Sequence, residues 1–277
     1  MDKKFFDEMW RWYLTGSAEP EFQARFERII GRERAFKRLF PGAPRCFECE
    51  VPLAGLSSWI LRPLGSKPST FSPRLCGACE TAARKVEAGA EVELSMLFAD
   101  VRNSTSMAEA RPAAEYKDII ARFYKASTDV LVEHNAMVNR LMGDQVIALF
   151  VERFAGKRHA RAAFEAAKDL LHATGHGTEQ GSWVPVGVGV HTGLAFVGVV
   201  GSAHGVNEIA VLGSEANLCA RLSSQAEAGE ILISEAAIRA GEVDVTGLEQ
   251  RTLQLKGVSQ PVAVRAWRAS VEAPVAA

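Results

Sequence analysis

Two aspartates stand in apolar surroundings: Asp100 in Leu97-Phe98-Ala99-Asp100-Val101 and Asp144 in Met142-Gly143-Asp144-Gln145-Val146. A carboxylate in such a strand-like run is costly unless a cation or several hydrogen-bond donors offset it. Two of them from separate strands could hold a pair of hard metal ions by their oxygens. Taken singly, each also reads as a strand-end or turn aspartate capping nearby backbone amides. A second constellation is made of sulfur. Cys46-Phe47-Glu48-Cys49 and Cys76-Gly77-Ala78-Cys79 are two C-x-x-C knuckles, each able to present two thiolates to one tetrahedral ion. Zinc is the first expectation; an iron–sulfur cluster uses the same four ligands, and a dithiol redox switch is the remaining option. The fifth cysteine, Cys219, reads as a buried helix packing residue.

These groups must be held by a framework, and bulk composition bounds it. The chain has 277 residues, 48% hydrophobic and 23% charged, enough for one good-sized domain plus something smaller. A formal net charge of −1 leaves no electrostatic footprint for nucleic acid or for an acidic membrane. No apolar run approaches the length of a membrane span, and the start Met1-Asp2-Lys3-Lys4 lacks a signal-peptide pattern, so a cytoplasmic location without an integral membrane segment is expected. In that reducing setting the cysteines should not form disulfides.

Four regions follow one another. Residues 1–40 read as helical, with Phe22, Phe26, Ile29, Ile30, Phe36 and Leu39 recurring at three- and four-residue intervals. Residues 41–89 hold the cysteine module, rich in Pro and Gly and too poor in periodicity to build its own core without metal, and a short helical connector over Glu80–Ala88. Residues 90–269 alternate strand and helix. Strands are expected at Glu93–Val101, Met137–Leu141 and Gln145–Val151, and a hairpin Val184–His191/Leu194–Val200 around Thr192-Gly193. Helices are expected at Ala113–His134, His159–Leu171 and Glu215–Ala226, then a strand at Ile231–Ile233 and a closing pair at Leu253–Leu255 and Val262–Trp267. Residues 270–277 read as a flexible tail. The order β-α-β-β-α-β places the chain in the α+β class with a ferredoxin-like core. Asp100 would end the first strand and Asp144 sit in the turn between the next two, so antiparallel pairing would make them neighbours.

Over residues 91–268 the chain resembles the class III nucleotidyl cyclase catalytic domain, the adenylyl and guanylyl cyclases. The matching stretches are Phe98-Ala99-Asp100-Val101-Arg102-Asn103-Ser104-Thr105, Gly143-Asp144, Val188-Gly189-Val190-His191-Thr192-Gly193, Leu212 through Leu222, and Leu255-Lys256-Gly257. The resemblance implies closure of a 3′,5′-cyclic nucleotide by attack of the ribose 3′-oxygen on the α-phosphate, expelling pyrophosphate. Asp100 and Asp144 would hold two Mg²⁺ or Mn²⁺ ions per site. Ser104 and Thr105, at the start of the long helix, would lie among the amides cradling phosphate. Asn217 would orient the ribose, Arg221 stabilise charge on the α-phosphate, and Lys256 contact the terminal phosphates. His191 reads as a residue of the fold. Sites of this family form between head-to-tail subunits, which implies a homodimer with two composite sites.

The purine-selecting positions depart from the family pattern. They are Arg140, which keeps a cationic donor, and Ala210, which offers no acceptor to an adenine amino group. Losing one such contact costs ~1–3 kcal/mol of discrimination. ATP is the expected substrate, with relaxed selectivity, and Glu208 is a nearby source of an acceptor. The alternatives are a degenerate cyclase that binds nucleotide with little turnover, and a zinc-dependent interaction protein.

Overall fold

The computed structural model describes residues 2–69, 71–201 and 207–270. Two helices open the chain, α1 (Lys3–Thr15) and α2 (Pro20–Arg38). Asp2 starts α1 by accepting the Phe5 N–H, and Gly16, at φ +77°, ends it by donating to the Trp12 carbonyl over 2.8 Å. The helices close on each other through rings: Phe5 on Phe22 at 5.1 Å and Trp12 on Phe26 at 5.0 Å. The cysteine region carries α3 (Gly55–Ile60), a 3₁₀ turn (Arg62–Leu64) and α4 (Gly77–Ala83).

The remainder is β1 (Gly89–Val101), α5 (Ser104–Glu109), α6 (Ala113–Glu133), β2 (Met137–Met142), β3 (Gln145–Phe150), α7 (Glu152–Ala155), α8 (His159–Ala173), β4 (Val186–Gly201), β5 (Asn207–Leu212), α9 (Ser214–Gln225), β6 (Glu230–Ser234), α10 (Glu235–Gly241), β7 (Glu249–Leu253) and β8 (Val262–Arg268). The described strands form one sheet in the order β2-β3-β1-β4-β6-β8-β7, with β5 paired to the far end of β4. The expected β-α-β-β-α-β order is present, and the α+β class holds.

The pleat of β1 sorts the core into two layers. Leu97, Ala99 and Val101 face α6, α8 and α10. Leu94, Met96 and Phe98 face the other way, onto α9, α1 and the cysteine region, in one buried cluster that runs from Trp10 and Cys46 through β1 to Cys219. Arg153 of α7 ties this layer together. Its guanidinium donates to the Trp12 carbonyl at 3.1 Å and the Phe47 carbonyl at 3.3 Å, and lies 3.9 Å over the Trp12 ring.

Three expectations change. The hairpin around Thr192-Gly193 is absent: β4 runs unbroken from Val186 to Gly201, with Thr192 opposite Ser95 and Gly193 opposite Leu94. Gly193 is there for close approach rather than for a turn, since a Cβ on it would meet the Glu215 side chain at 2.7 Å. The connector helix covers Gly77–Ala83 instead of Glu80–Ala88, because the Cys76 sulfur accepts the Cys79 N–H and caps it early. Gly89 then opens β1, pressed against Gly198. Thr105 belongs to the short α5 and not to the long helix, which starts only after Pro112. The tail expected at 270–277 lies, apart from Ser270, outside the described residues.

Candidate active site and four-cysteine centre

Antiparallel pairing of β1 with β3 puts Asp100 opposite Gln145, the residue after Asp144. The Val101 N–H donates to the Asp144 carbonyl over 3.0 Å, so the two aspartates leave the sheet side by side. Both are half-buried. Burial pushes the Asp100 carboxyl up, Arg102 pulls it back, and the charge of Asp144 pushes it up further. Ser104 donates its hydroxyl to Asp144, and the Tyr124 hydroxyl donates to the Gly143 carbonyl at 2.7 Å, bracing the turn that carries Asp144. Thr105 is exposed one residue on. Sequence reasoning missed two of these partners. Arg102 pairs with Asp100 and reaches the Ser224 carbonyl at 3.0 Å; Tyr124 is one of several aromatics on α6 with no local signal of its role.

Helix α9 carries Asn217 and Arg221 on the side away from its buried Ala216, Cys219 and Leu222. It sits directly on β4, where a Cβ at Gly189 would meet the Ser223 nitrogen at 2.4 Å. His191 braces its first turn. The imidazole is buried, and burial lowers its pKa although Glu215 opposes the shift. Its Nε2 lies 2.7 Å from Glu215 and its Nδ1 2.7 Å from Ser234. A neutral ring fits when Nε2–H donates to the carboxylate and the Ser234 hydroxyl donates to Nδ1. Ser234 Oγ also accepts the Ala237 N–H. The expected place of His191 in the fold agrees with these contacts.

The expected residues therefore fall into groups. Asp100, Asp144 and Ser104 are together. Arg221 lies beside Gly257, the residue after Lys256: its Nη2 comes within 3.5 Å of where a Cβ on Gly257 would stand. Neither Asn217 nor Arg221 makes a side-chain hydrogen bond or ion pair with either aspartate among the described residues. Arg140 and Ala210 sit on β2 and β5, linked where Asn139 donates to the Ile209 carbonyl at 3.0 Å. Arg140 is ion-paired to Glu208, which shares a face of β5 with Ala210 two residues on.

The four thiols of Cys46, Cys49, Cys76 and Cys79 converge so that their sulfurs all lie within 4.8 Å of one another. Cys49 and Cys76 are 3.6 Å apart, close to the ~3.8 Å edge of a tetrahedron with Zn–S bonds of ~2.3 Å. Backbone N–H groups of Cys76 and Cys79 donate to the Cys46 and Cys76 sulfurs at 3.3 and 3.4 Å. Hydrogen bonds among the thiols push Cys49 and Cys76 down and Cys46 and Cys79 up. Cys219 stands apart, donating to the Met96 carbonyl at 3.3 Å as a packing residue.

The family described as Adenylate and Guanylate cyclase catalytic domain matches residues 86–265. The uncharacterized protein Rv1320c of Mycobacterium tuberculosis is 28% identical over 178 residues, 63% of this chain and 31% of its own length. Adenylate cyclase 1 of Rhizobium meliloti is 27% identical over 136 residues, 47% of this chain and 20% of its own. The chain thus spans less than a third of these relatives. Among solved structures, the guanylyl cyclase Cya2 superposes with a TM-score of 0.58 at 27% identity, over 67% of this chain and 96% of that one. The adenylyl cyclase CyaB from P. aeruginosa shares the fold with a TM-score of 0.56 at 24% identity, over 64% and 94% of the two chains.

Proposed function

Because the chain belongs to the family of adenylate and guanylate cyclase catalytic domains, we propose that it is an adenylate cyclase of relaxed purine selectivity, converting ATP to 3′,5′-cyclic AMP and pyrophosphate in a homodimer with two composite sites. The observation that carries this reading is the pair Asp100 and Asp144, set side by side by strand register and half-buried with mutual repulsion. Two carboxylates so placed, with only Arg102 and the Ser104 hydroxyl as side-chain partners among the described residues, fit hard divalent cations by charge and by oxygen chemistry. Bound there, two Mg²⁺ or Mn²⁺ ions would supply Lewis-acid charge that makes the ribose 3′-hydroxyl more acidic and offsets the triphosphate.

The chain's own residues then bind and orient. Ser104 and Thr105 face the phosphates from the turn after Asp100. Asn217 of the second subunit holds the ribose so that its 3′-oxygen lies in line with the bond to be broken. The 3′-hydroxyl gives up its proton to solvent, the O3′–Pα bond forms as the bond from Pα to the bridging oxygen breaks, and that bond's electron pair leaves with pyrophosphate. Arg221 donates to the α-phosphate oxygens as their charge rises, and Lys256 meets the departing phosphates. Arg140 and Glu208 present a donor and an acceptor together, in place of the acceptor missing at Ala210; this favours ATP and leaves GTP usable.

In the cysteine module the compact set of thiols suits one tetrahedral ion, and zinc is our assignment. An iron–sulfur cluster needs room between the thiol pairs for its sulfides. Asp100→Ala should abolish turnover while the protein stays folded and dimeric; retained activity would refute the role given to that carboxylate. Metal analysis should give one zinc per chain in a colourless protein, and a brown, iron-containing one would overturn that assignment.

A further inference from the structure

Helix α3 is built inside out. Its buried side chains are Ser57 and Ser58, each 8% exposed, while Leu56, Trp59 and Ile60 are 75%, 67% and 52% exposed. These three occupy positions i, i+3 and i+4, so they form one continuous outward face. Folding of this chain alone would turn such a helix the other way, since burying each large side chain is favourable and burying serine is not.

The inversion is held firmly. Ser58 Oγ donates to the Ser66 carbonyl at 3.0 Å, and the Ser66 hydroxyl lies 3.2 Å from Ser58 Oγ and bonds the Pro52 carbonyl. The next residue, Leu61, is 3% exposed and anchors the far end. Past the turn, the Gly77 N–H donates to the Lys67 carbonyl at 2.8 Å, fastening the loop to the second cysteine knuckle. The apolar face therefore stands on a platform closed by the four thiols.

Its surroundings identify what it meets. Between Val51 and Cys79 the sequence contains no acidic residue, in a chain whose overall charge is −1. Arg62 and Lys67 flank the apolar face; both are exposed and make no ion pair among the described residues. Tryptophan beside leucine and isoleucine, rimmed by unpaired cations, matches the headgroup boundary of an anionic bilayer. A second copy of the chain fits less well, because a two-fold contact through this face would bring two sets of Arg62 and Lys67 together.

We propose that the α3 face is a docking surface for anionic lipid membranes, on which Leu56, Trp59 and Ile60 insert at the headgroup boundary while Arg62 and Lys67 contact lipid phosphates. No helix among the described residues is long and apolar enough to cross a membrane.

The test is co-sedimentation of the full zinc-containing chain with phosphatidylcholine vesicles, with and without phosphatidylglycerol. The wild type should pellet with the phosphatidylglycerol vesicles and release at high salt. Trp59→Ser should weaken binding about tenfold or more, and the triple variant Leu56→Ser/Trp59→Ser/Ile60→Ser should abolish it without lowering the melting temperature. Arg62→Gln/Lys67→Gln should bind roughly tenfold more weakly and lose the preference for phosphatidylglycerol. The proposal is overturned by a wild type that ignores both vesicle types, by binding that survives the triple variant, or by binding indifferent to lipid charge. It is also overturned if the triple variant loses self-association while no vesicle binds, which would make this face a subunit contact.

Discussion

Arg153→Met would cut the joint between the N-terminal helices and the sheet while keeping most of the side chain's volume. The guanidinium donates to two carbonyls, of Trp12 at 3.1 Å and Phe47 at 3.3 Å; methionine leaves the Phe47 carbonyl without that partner, while the Trp12 carbonyl keeps only the Gly16 N–H. Hydrogen bonds from a charged donor are worth ~1.5 kcal/mol each at these lengths. The ring of Trp12, 3.9 Å beneath the guanidinium, adds ~1 kcal/mol. Against this, burial already lowers the pKa of Arg153, and relieving its desolvation returns on the order of 1 kcal/mol. The net loss is about 2–3 kcal/mol, which for a chain of this size lowers the melting temperature by roughly 3–5 °C. The assay is thermal unfolding followed both by far-UV circular dichroism and by tryptophan fluorescence. Because one buried cluster spans α1, the cysteines and β1, both probes should report the same, lowered transition. An unchanged melting temperature, or two transitions of which only the tryptophan-rich N-terminal one moves, would refute the shared-core reasoning.

The remaining predictions concern the site and pH. Asp144→Ala and Arg221→Ala should each be inactive alone, yet a mixture should regain about a quarter of wild-type activity, since half the dimers are mixed and each has one intact site; no recovery would contradict composite sites. Glu208→Ala frees Arg140 of its carboxylate and should lower kcat/KM for ATP relative to GTP about tenfold. An unchanged ratio removes Glu208 from base recognition. His159, His176 and His191 are each held below the ordinary imidazole value by burial, and His176 Nε2 accepts the Val186 N–H at 3.0 Å, a bond that protonation breaks. The unfolded chain then binds more protons than the folded one. The stabilisation is complete above about pH 6.5 and is lost as pH falls through the lower folded values. Melting temperature should drop on acidification from pH 7.5 to 5.5, and a rise would reverse the sign argued here.

The aspartate pair was legible in the sequence because strand pairing around a tight turn leaves little freedom in where the two carboxylates go. The cysteine quartet was legible because spacing fixes the knuckles. The single strand β4 was not. Gly193 reads locally as a turn, and only the Glu215 side chain pressed against it explains a glycine inside a sheet. The same holds for Gly89, which follows the expected connector helix and is found beside Gly198 inside the sheet. Periodicity marked the apolar stripe of α2 without saying what covers it: Phe22 and Phe26 meet Phe5 and Trp12 of α1, and α1 in turn is held by Arg153 and Phe154, more than a hundred residues away. The Arg140–Glu208 pair escaped because an ion pair across strands has no signature along the chain; Arg102 is only two residues from Asp100, and the sequence does not say that its guanidinium folds back onto that carboxylate.

The most direct test of the central claim is incubation of the purified chain with Mn²⁺ and either ATP or GTP, with cyclic nucleotide and pyrophosphate both quantified. The account predicts both products in equal amounts, more from ATP than from GTP, and none from Asp144→Ala. A folded, dimeric wild type that yields no cyclic product from either nucleotide would contradict it.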